Sequence, residues 1–245
     1  MMEDVGQPLL AFDTSTPTAR VALVSPVGVC LAERAKTAAR HSANLLALVD
    51  ELLREIGISI GGLAAIACGA GPGSFTGLRV GLAVAKGLAL PTDRPLVLVS
   101  SLEALACDLA VASPEAPLLL PCLDAGKGQV YARLYDAGTG QGPRPLGEGD
   151  WVLSPGDLCR MAVDAAAGRP LVAGGTGLDR YLEIFRSGLA DDACRVSLPG
   201  PSTGAIARLA RQRMAAGEFD DIESAVPRYG RPPDITRPKK AVPGP

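Results

Sequence analysis

The chain has 245 residues, 47% hydrophobic and 20% charged, which suffices for one large domain or two small ones with real cores. Aromatic residues make up only 4%, against a base-stacking nucleic-acid module, and the net charge of −2 supplies no global attraction for tRNA or DNA. No charge-free run reaches the roughly 18 residues of a membrane span, and the polar start MMEDVGQP is unlike a signal peptide, so a soluble, cytoplasmic chain is expected.

In chain order, LLAFD (9–13) is an apolar run ending in Asp, followed by the turn-prone TSTPT and the strand-like RVALV. GVCLAERA (28–35) reads as a third strand. In HSANLLALVDELLREIG (41–57), Leu45, Leu48, Val49, Leu52, Leu53 and Ile56 keep helical spacing, and Gly57 is a stop. LAAIACG then reads as a buried strand, residues 76–90 as a helix, PLVLV as a strand and SLEALACDLA as a helix.

The second half repeats that order. LLLPCLD (118–124) again ends in Asp, before the turn AGKG and the strand QVYARLYD. A Gly/Pro-rich loop (138–149) leads to WVL and to a helix opened by SPGD, with Ser154 as N-cap and Pro155 in the first turn. RPLVAGG reads as a strand, residues 177–188 as a helix, CRVSL as a strand and residues 202–217 as a helix. Two copies of a three-strand meander followed by alternating helices and strands predict an α/β, two-lobed actin-like (ASKHA) fold. Such a fold is a duplicated ribonuclease-H-like unit, each lobe a mixed sheet flanked by helices. The lobes are expected at 1–112, joined by the helix at 202–217, and at 113–201. Residues 232–245 are expected as an extended or disordered tail.

In that fold the aspartates closing the first strand of each half face one another across a cleft. Here they are Asp13 in DTST and Asp124 in DAGKG, and the glycine pair of VAGGTG falls where such folds place adenine. A vestigial nucleotide pocket would draw on Asp13, Thr14, Ser15, Asp124, Gly126, Gly174 and Gly175. The same residues also suit plain turns, since Asp after a strand favours a turn and glycines close strand–helix connections. The residues alone leave both readings open, and Lys127 and Arg79, single basic side chains beside glycines, do not decide between them. The six cysteines form no Cys-x-x-Cys pair and several lie in apolar runs, so reduced core thiols are expected rather than a disulfide or zinc framework.

GAGPGSFTGLRVG (69–81) resembles a phosphate loop without being one. Gly71 and Gly77 are one residue too far apart for GxxxxGK[ST], and Leu78 and Arg79 follow in place of Lys and Ser/Thr. GxGxxG fails because Thr76 stands where the third glycine belongs. Downstream, Gly77, Gly81, Ala85 and Ala89 form a nearly bare helical ridge. That ridge serves either packing inside the lobe or docking of another chain, together with helix 41–57.

DTST, HS-x2-LL-x3-DELL, GPGSFTGLRVG, AKGLA, SSLEALA and PRYGRPPD together resemble the TsaB (YeaZ) family, over about Leu9 to Asp234. The resemblance implies a non-catalytic paralogue of TsaD, the transferase that places a threonylcarbamoyl group on the adenosine beside the anticodon of some tRNAs. It implies a heterodimer with TsaD, TsaE as a further partner, a homodimer when alone, and tRNA reached through the complex. The threonylcarbamoyl-adenylate would come from a separate synthase, TsaC. No intrinsic cofactor is implied, and ATP or ADP would sit at the complex interface. The implied partner surface comprises His41, Leu45, Leu48, Gly77, Arg79, Gly81, Val84 and Ala85. TsaD carries a V-N-H-x-E-G-H segment whose two histidines bind metal. The comparable VSSLEAL (99–105) has Ser101 and Leu105 at those places and keeps only Glu103, so neither catalytic nor metal residues are expected. His41, the only histidine, lies far upstream; it suits either an exposed helix start or the inter-subunit helix pair. The rival reading is an active ATPase or small-molecule kinase with Asp13 and Asp124 around Mg²⁺. A metallopeptidase lacks any HExxH-type set.

Overall fold

The computed structural model describes residues 6–37, 42–138, 142–190 and 193–231, without the side chains of 42–44. The first half runs β1 (Leu9–Asp13), β2 (Thr18–Val24), β3 (Cys30–Thr37), α1 (Ser42–Ile56), β4 (Ala65–Gly71), α2 (Phe75–Ala89), β5 (Leu96–Ser100) and α3 (Ser101–Ala112). The second runs β6 (Leu118–Gly126), β7 (Gln129–Ala132), β8 (Tyr135–Asp136), β9 (Arg144–Pro145), β10 (Trp151–Leu153), α4 (Pro155–Ala166), β11 (Leu171–Gly174), α5 (Thr176–Arg180), α6 (Leu182–Gly188) and β12 (Cys194–Val196), before α7 (Thr203–Ala215).

Both halves share one five-strand order, β3-β2-β1-β4-β5 in the first and β10-β7-β6-β11-β12 in the second, where β8 paired with β6 and β9 paired with β8 make seven strands. β1, which ends in Asp13, and β6, which carries Asp124, each pair antiparallel with a hairpin neighbour and parallel with the strand that follows a helix. This is the duplicated ribonuclease-H-like topology expected from element order. Two expected elements are divided. The strand over 129–136 breaks at Arg133 and Leu134, where Leu134 is buried and its carbonyl accepts from Leu146 at 2.8 Å. The helix over 177–188 breaks at Tyr181, whose φ of −118° ends the first helical run.

Strand alternation divides the core of the first sheet. Leu10, Phe12, Val21 and Leu23 face α1 and α2, whereas Leu9, Ala11, Ala22 and Val24 face α7. α3 lies between the sheets: Ala104 and Cys107 join the α7 side of the first, and Leu102, Leu105 and Leu109 pack with Leu119, Leu123 and Tyr131 of the second. A helix apolar around most of its circumference belongs in such a place. Four of the cysteines, Cys68, Cys107, Cys122 and Cys159, are buried free thiols, whereas Cys30 and Cys194 are exposed.

After α7 the chain returns along β5. Asp220 N–H donates to Leu96 O at 2.9 Å, and its carboxylate accepts from Leu98 N–H at 2.6 Å, which covers the edge of the sheet. The chain then crosses the glycine loop, with Arg228 N–H on Ala70 O at 2.8 Å, and ends its described course at Arg231. The tail expected over 232–245 lies outside the described residues. Among the described residues no helix is long and apolar enough to cross a membrane.

Candidate functional site

The aspartate that ends β1 does not open into a cleft. Asp13 is buried, and its oxygens are occupied within the chain. Oδ1 accepts from the Ser15 amide at 2.8 Å and the Ser15 hydroxyl at 2.6 Å, and Oδ2 accepts from the Ser101 hydroxyl at 2.9 Å. Ser101 Oγ in turn accepts the Gly71 amide at 3.2 Å. The network fastens the ends of β1 and β4 to the start of α3. Burial holds the Asp13 carboxyl above the ordinary carboxylate value, against the lowering pull of Ser15, Ser101 and Arg20.

The glycine loop closes over this network. A Cβ on Gly69 would lie 1.9 Å from Asp13 Oδ2, on Gly73 2.4 Å from Ser15 O, on Gly77 2.0 Å from Thr14 O and on Gly81 2.3 Å from Thr14 Oγ1. All four glycines therefore face the DTST turn, because no side chain fits between the two segments. Ser74 N–H donates to Ser15 O at 2.7 Å and Thr14 Oγ1 to Gly77 O at 2.8 Å. The backbone expected to approach a phosphate is covered by the chain itself. The helical ridge is likewise an internal seam: Gly77 and Gly81 are buried, as are Ala85 and Ala89. The docking reading of that ridge is corrected by these contacts.

Ser101 and Leu105, the residues at the places of the paralogue's histidines, have structural partners. Ser101 holds Asp13. Leu105 Cδ2 and Leu109 Cδ2 each lie 2.6 Å from where a Cβ of Gly175 and Gly174, respectively, would stand. The glycine pair thus packs closely against leucines of α3. Asp124, unlike the buried Asp13, lines the cleft between the lobes. Its Oδ2 accepts from Arg180 Nη1 at 2.7 Å and its Oδ1 from the Gly126 amide at 3.0 Å. Asp13, with both oxygens bonded within the chain, is thus not presented to the cleft beside Asp124 as the Mg²⁺ reading required. Among the described residues no three His, Cys, Asp or Glu side chains are placed to hold a metal ion.

The interlobe cleft has a volume of about 690 Å³. One wall is the start of α2, with Gly73, Ser74, Phe75 and Arg79; the other is the β6–β7 hairpin, with Asp124, Lys127 and Tyr131; Tyr229, Gly230 and Arg231 cross between them. The Arg79 guanidinium stacks 3.8 Å above the Phe75 ring and donates through Nε to the Tyr229 hydroxyl at 2.9 Å. Phe75 and Tyr229 have ring centroids 5.1 Å apart. Arg231 lies 5.9 Å over Tyr131 and donates through Nη2 to Ala125 O. Gly230 fits because a Cβ there would lie 2.5 Å from the Tyr131 ring. Arg79, expected on the partner surface, belongs to this cleft. Phe75, Tyr131, Tyr229 and Arg231 were not among the expected site residues. The available signal was scarcity: each is an aromatic or basic residue beside a glycine turn in a chain with few aromatics.

Glu103, the retained acid of VSSLEAL, lines a second cavity of about 330 Å³ with Ser100, Arg213, Glu218 and Arg228. Burial pushes its carboxyl above the ordinary value, only partly offset by Arg228, Arg213, Arg133 and Arg208. A raised carboxyl in the folded state gives stability that is full below the unfolded value and is lost as pH rises through the folded one. Glu103→Gln is therefore expected to raise the melting temperature at neutral pH and to flatten its decline with rising pH. Thermal melts between pH 4 and 8 check this; a variant that melts lower than the parent at pH 8 contradicts it.

α1 and α2 pack side by side over the first sheet. Leu45, Leu48, Val84 and Ala85, expected at a partner surface, point into the core. The outward face instead carries Leu46 (50% exposed), Ala47, Thr76, Ala83 and Gly87, with Leu90 (66% exposed) beyond its end. His41 lies outside the described residues.

Two ribonuclease-H-like sheets around a shared helix, with a cleft between them, define an actin-like, two-lobed protein. Inorganic polyphosphate/ATP-glucomannokinase from Arthrobacter sp. strain KM shares this fold, with a TM-score of 0.51 over 86% of this chain and all of that one, at 12% identity. A family model for TsaD, tRNA N6-adenosine threonylcarbamoyltransferase, matches residues 34–150. The chain is 32% identical over 227 residues to the tRNA threonylcarbamoyladenosine biosynthesis protein TsaB of Escherichia coli (strain K12), covering 91% of this chain and 94% of that protein. YeaZ from Pseudomonas aeruginosa superimposes with a TM-score of 0.76 at 33% identity, over 91% of this chain and 99% of that one. The chain belongs to the TsaB family.

Proposed function

We propose that this chain is a non-catalytic subunit in tRNA threonylcarbamoyladenosine biosynthesis, pairing with the transferase TsaD and supporting it, with TsaE as a further partner. The observation that carries the non-catalytic reading is Asp13. The carboxylate that would organise Mg²⁺-phosphate chemistry is buried and bonded to Ser15 and Ser101. The TsaB relatives support the pathway, and the match to the TsaD family model supports pairing between two related folds. The chain pairs through the outward face of α1 and α2, with itself when alone and with TsaD when present. ATP or ADP enters at the interface of the assembled complex, and the complex works in the cytoplasm.

Ala83 tests the surface. It is exposed, so Ala83→Glu changes monomer stability by no more than about 0.5 kcal/mol. An unpaired charge buried in an interface costs several kcal/mol, so pairing with TsaD is expected to weaken roughly a hundredfold or more. Size-exclusion chromatography with light scattering, with and without TsaD, reads the outcome. Unchanged pairing would move the interface elsewhere. ATP hydrolysis by the isolated chain, abolished in Asp13→Asn, would overturn the non-catalytic reading.

A further inference from the structure

The chain has four Phe, four Tyr and one Trp, and three of these nine, Phe75, Tyr131 and Tyr229, line the interlobe cleft. Three cationic side chains, Arg79, Lys127 and Arg231, line the same cleft. Its one carboxylate, Asp124, is already neutralised by Arg180. A chain that is acidic overall thus gathers a net positive, ring-bearing trough at one place. The rings and guanidinium groups alternate: Phe75 under Arg79, Arg79 beside Tyr229, and Arg231 over Tyr131. Phe75 and Tyr229 keep 41% and 39% of their surface exposed, although each is large enough to bury. Across from them, the Cβ positions of Gly126 and Gly128 open into free space, so a ligand can approach the hairpin backbone closely.

Phe75 and Tyr229, two exposed rings set among cations along an open trough, are what a single nucleic-acid strand requires, while Tyr131 is buried: bases stack on the exposed rings and phosphates meet the cations. We propose that this cleft binds a single-stranded segment of RNA, so that the subunit touches the RNA substrate itself and does not only support the transferase. The inference rests on the pathway assigned above for its choice of RNA, and on the cleft alone for its choice of a strand. The two phosphate loops of the fold play no part in it. The DTST turn is covered and the glycine pair packs against leucines of α3, so the strand lies over α2 and the hairpin instead.

The test uses the full chain without TsaD, so that failed pairing with TsaD and failed RNA binding are read separately. Fluorescence anisotropy of a short fluorescein-labelled single-stranded oligoribonucleotide is followed from low to physiological salt. Three phosphate contacts predict a fall in log affinity against log salt with a slope of about −2. Arg231→Gln is expected to reduce that slope by roughly 0.7, and Tyr229→Ala to weaken binding about tenfold. Arg160→Gln removes a cation outside the cleft and should leave binding unchanged. Circular dichroism confirms that each variant is folded; Arg231→Gln, a polar exchange that keeps a donor for Ala125 O at a half-buried position, keeps the test valid if Tyr229→Ala unfolds. The proposal is overturned if the parent shows no salt-dependent binding, or if Arg231→Gln binds like the parent. It is also overturned if ATP displaces the oligonucleotide at equal phosphate concentration, which would make the cleft a mononucleotide site.

Discussion

Replacing Gly81 with leucine is expected to unfold the chain rather than to leave a folded monomer that has lost a partner. A Cβ at this position would already lie 2.3 Å from Thr14 Oγ1 and 3.6 Å from Cys68 Sγ, with the rest of a leucine side chain still to be placed. Gly77→Ala is the cleaner probe, because its single methyl would meet the backbone carbonyl of Thr14 at 2.0 Å. That carbonyl cannot swing away: it belongs to the turn held by Asp13, Ser15 and Ser74. Overpacking of this kind costs about 3 kcal/mol or more, against the roughly 1 kcal/mol that alanine gains over glycine inside a helix. Gly87 supplies the control on the same helix. It is exposed with nothing within 4 Å of its Cβ position, so Gly87→Ala should stabilise by up to about 1 kcal/mol. Urea denaturation of the three variants reads both signs. If Gly77→Ala melted like the parent and lost only its partner, the ridge would face outward after all.

Asp13→Ala is expected to destabilise by about 3–5 kcal/mol, since it strands the Ser15 amide and removes the acceptor of two hydroxyls in a place without water access. Asp13→Asn should cost distinctly less, because the amide oxygen keeps the Ser15 bonds and no charge is buried. The pH dependence has a definite sign. Burial raises the Asp13 carboxyl, so its contribution is full below the ordinary value of 3.8 and declines as pH rises through the folded value. Asp13→Asn should therefore close its deficit against the parent as pH rises. A magnesium-binding aspartate would behave otherwise: stability would change little, and any nucleotide-dependent shift in melting temperature would vanish. Denaturant melts across pH, with and without ATP and Mg²⁺, separate the two outcomes.

Ser101 and Leu105 both have structural work in this fold. Ser101 is the donor that fixes Asp13, and Leu105 packs against Gly175. Both lie on one face of α3 at four-residue spacing, so the face now joins the lobes. The strap from Arg228 to Arg231 adds a further tie, running from Ala70 in the first sheet to Ala125 in the second.

The sequence by itself determined the order of elements, the duplicated topology, the failure of both nucleotide fingerprints and the family. Those properties rest on local periodicity, on turn chemistry and on motif spacing, all of which are written along the chain. What it left open was direction. Gly77, Gly81, Ala85 and Ala89 recur at helical spacing, but Leu78, Leu82 and Leu88 on the same helix are also apolar and buried. Periodicity alone thus does not tell which side meets the sheet. The partners that decide it are distant: Ser101 reaches Asp13 across 88 residues, and Arg79 reaches Tyr229 across 150. The cleft likewise draws its rings from positions 75, 131 and 229, which only chain crossing brings to one place, with Phe75 and Tyr229 in ring contact. Tertiary structure decided which glycines were seams and which aromatics were a surface, because close approach and burial are properties of pairs of segments rather than of either segment alone.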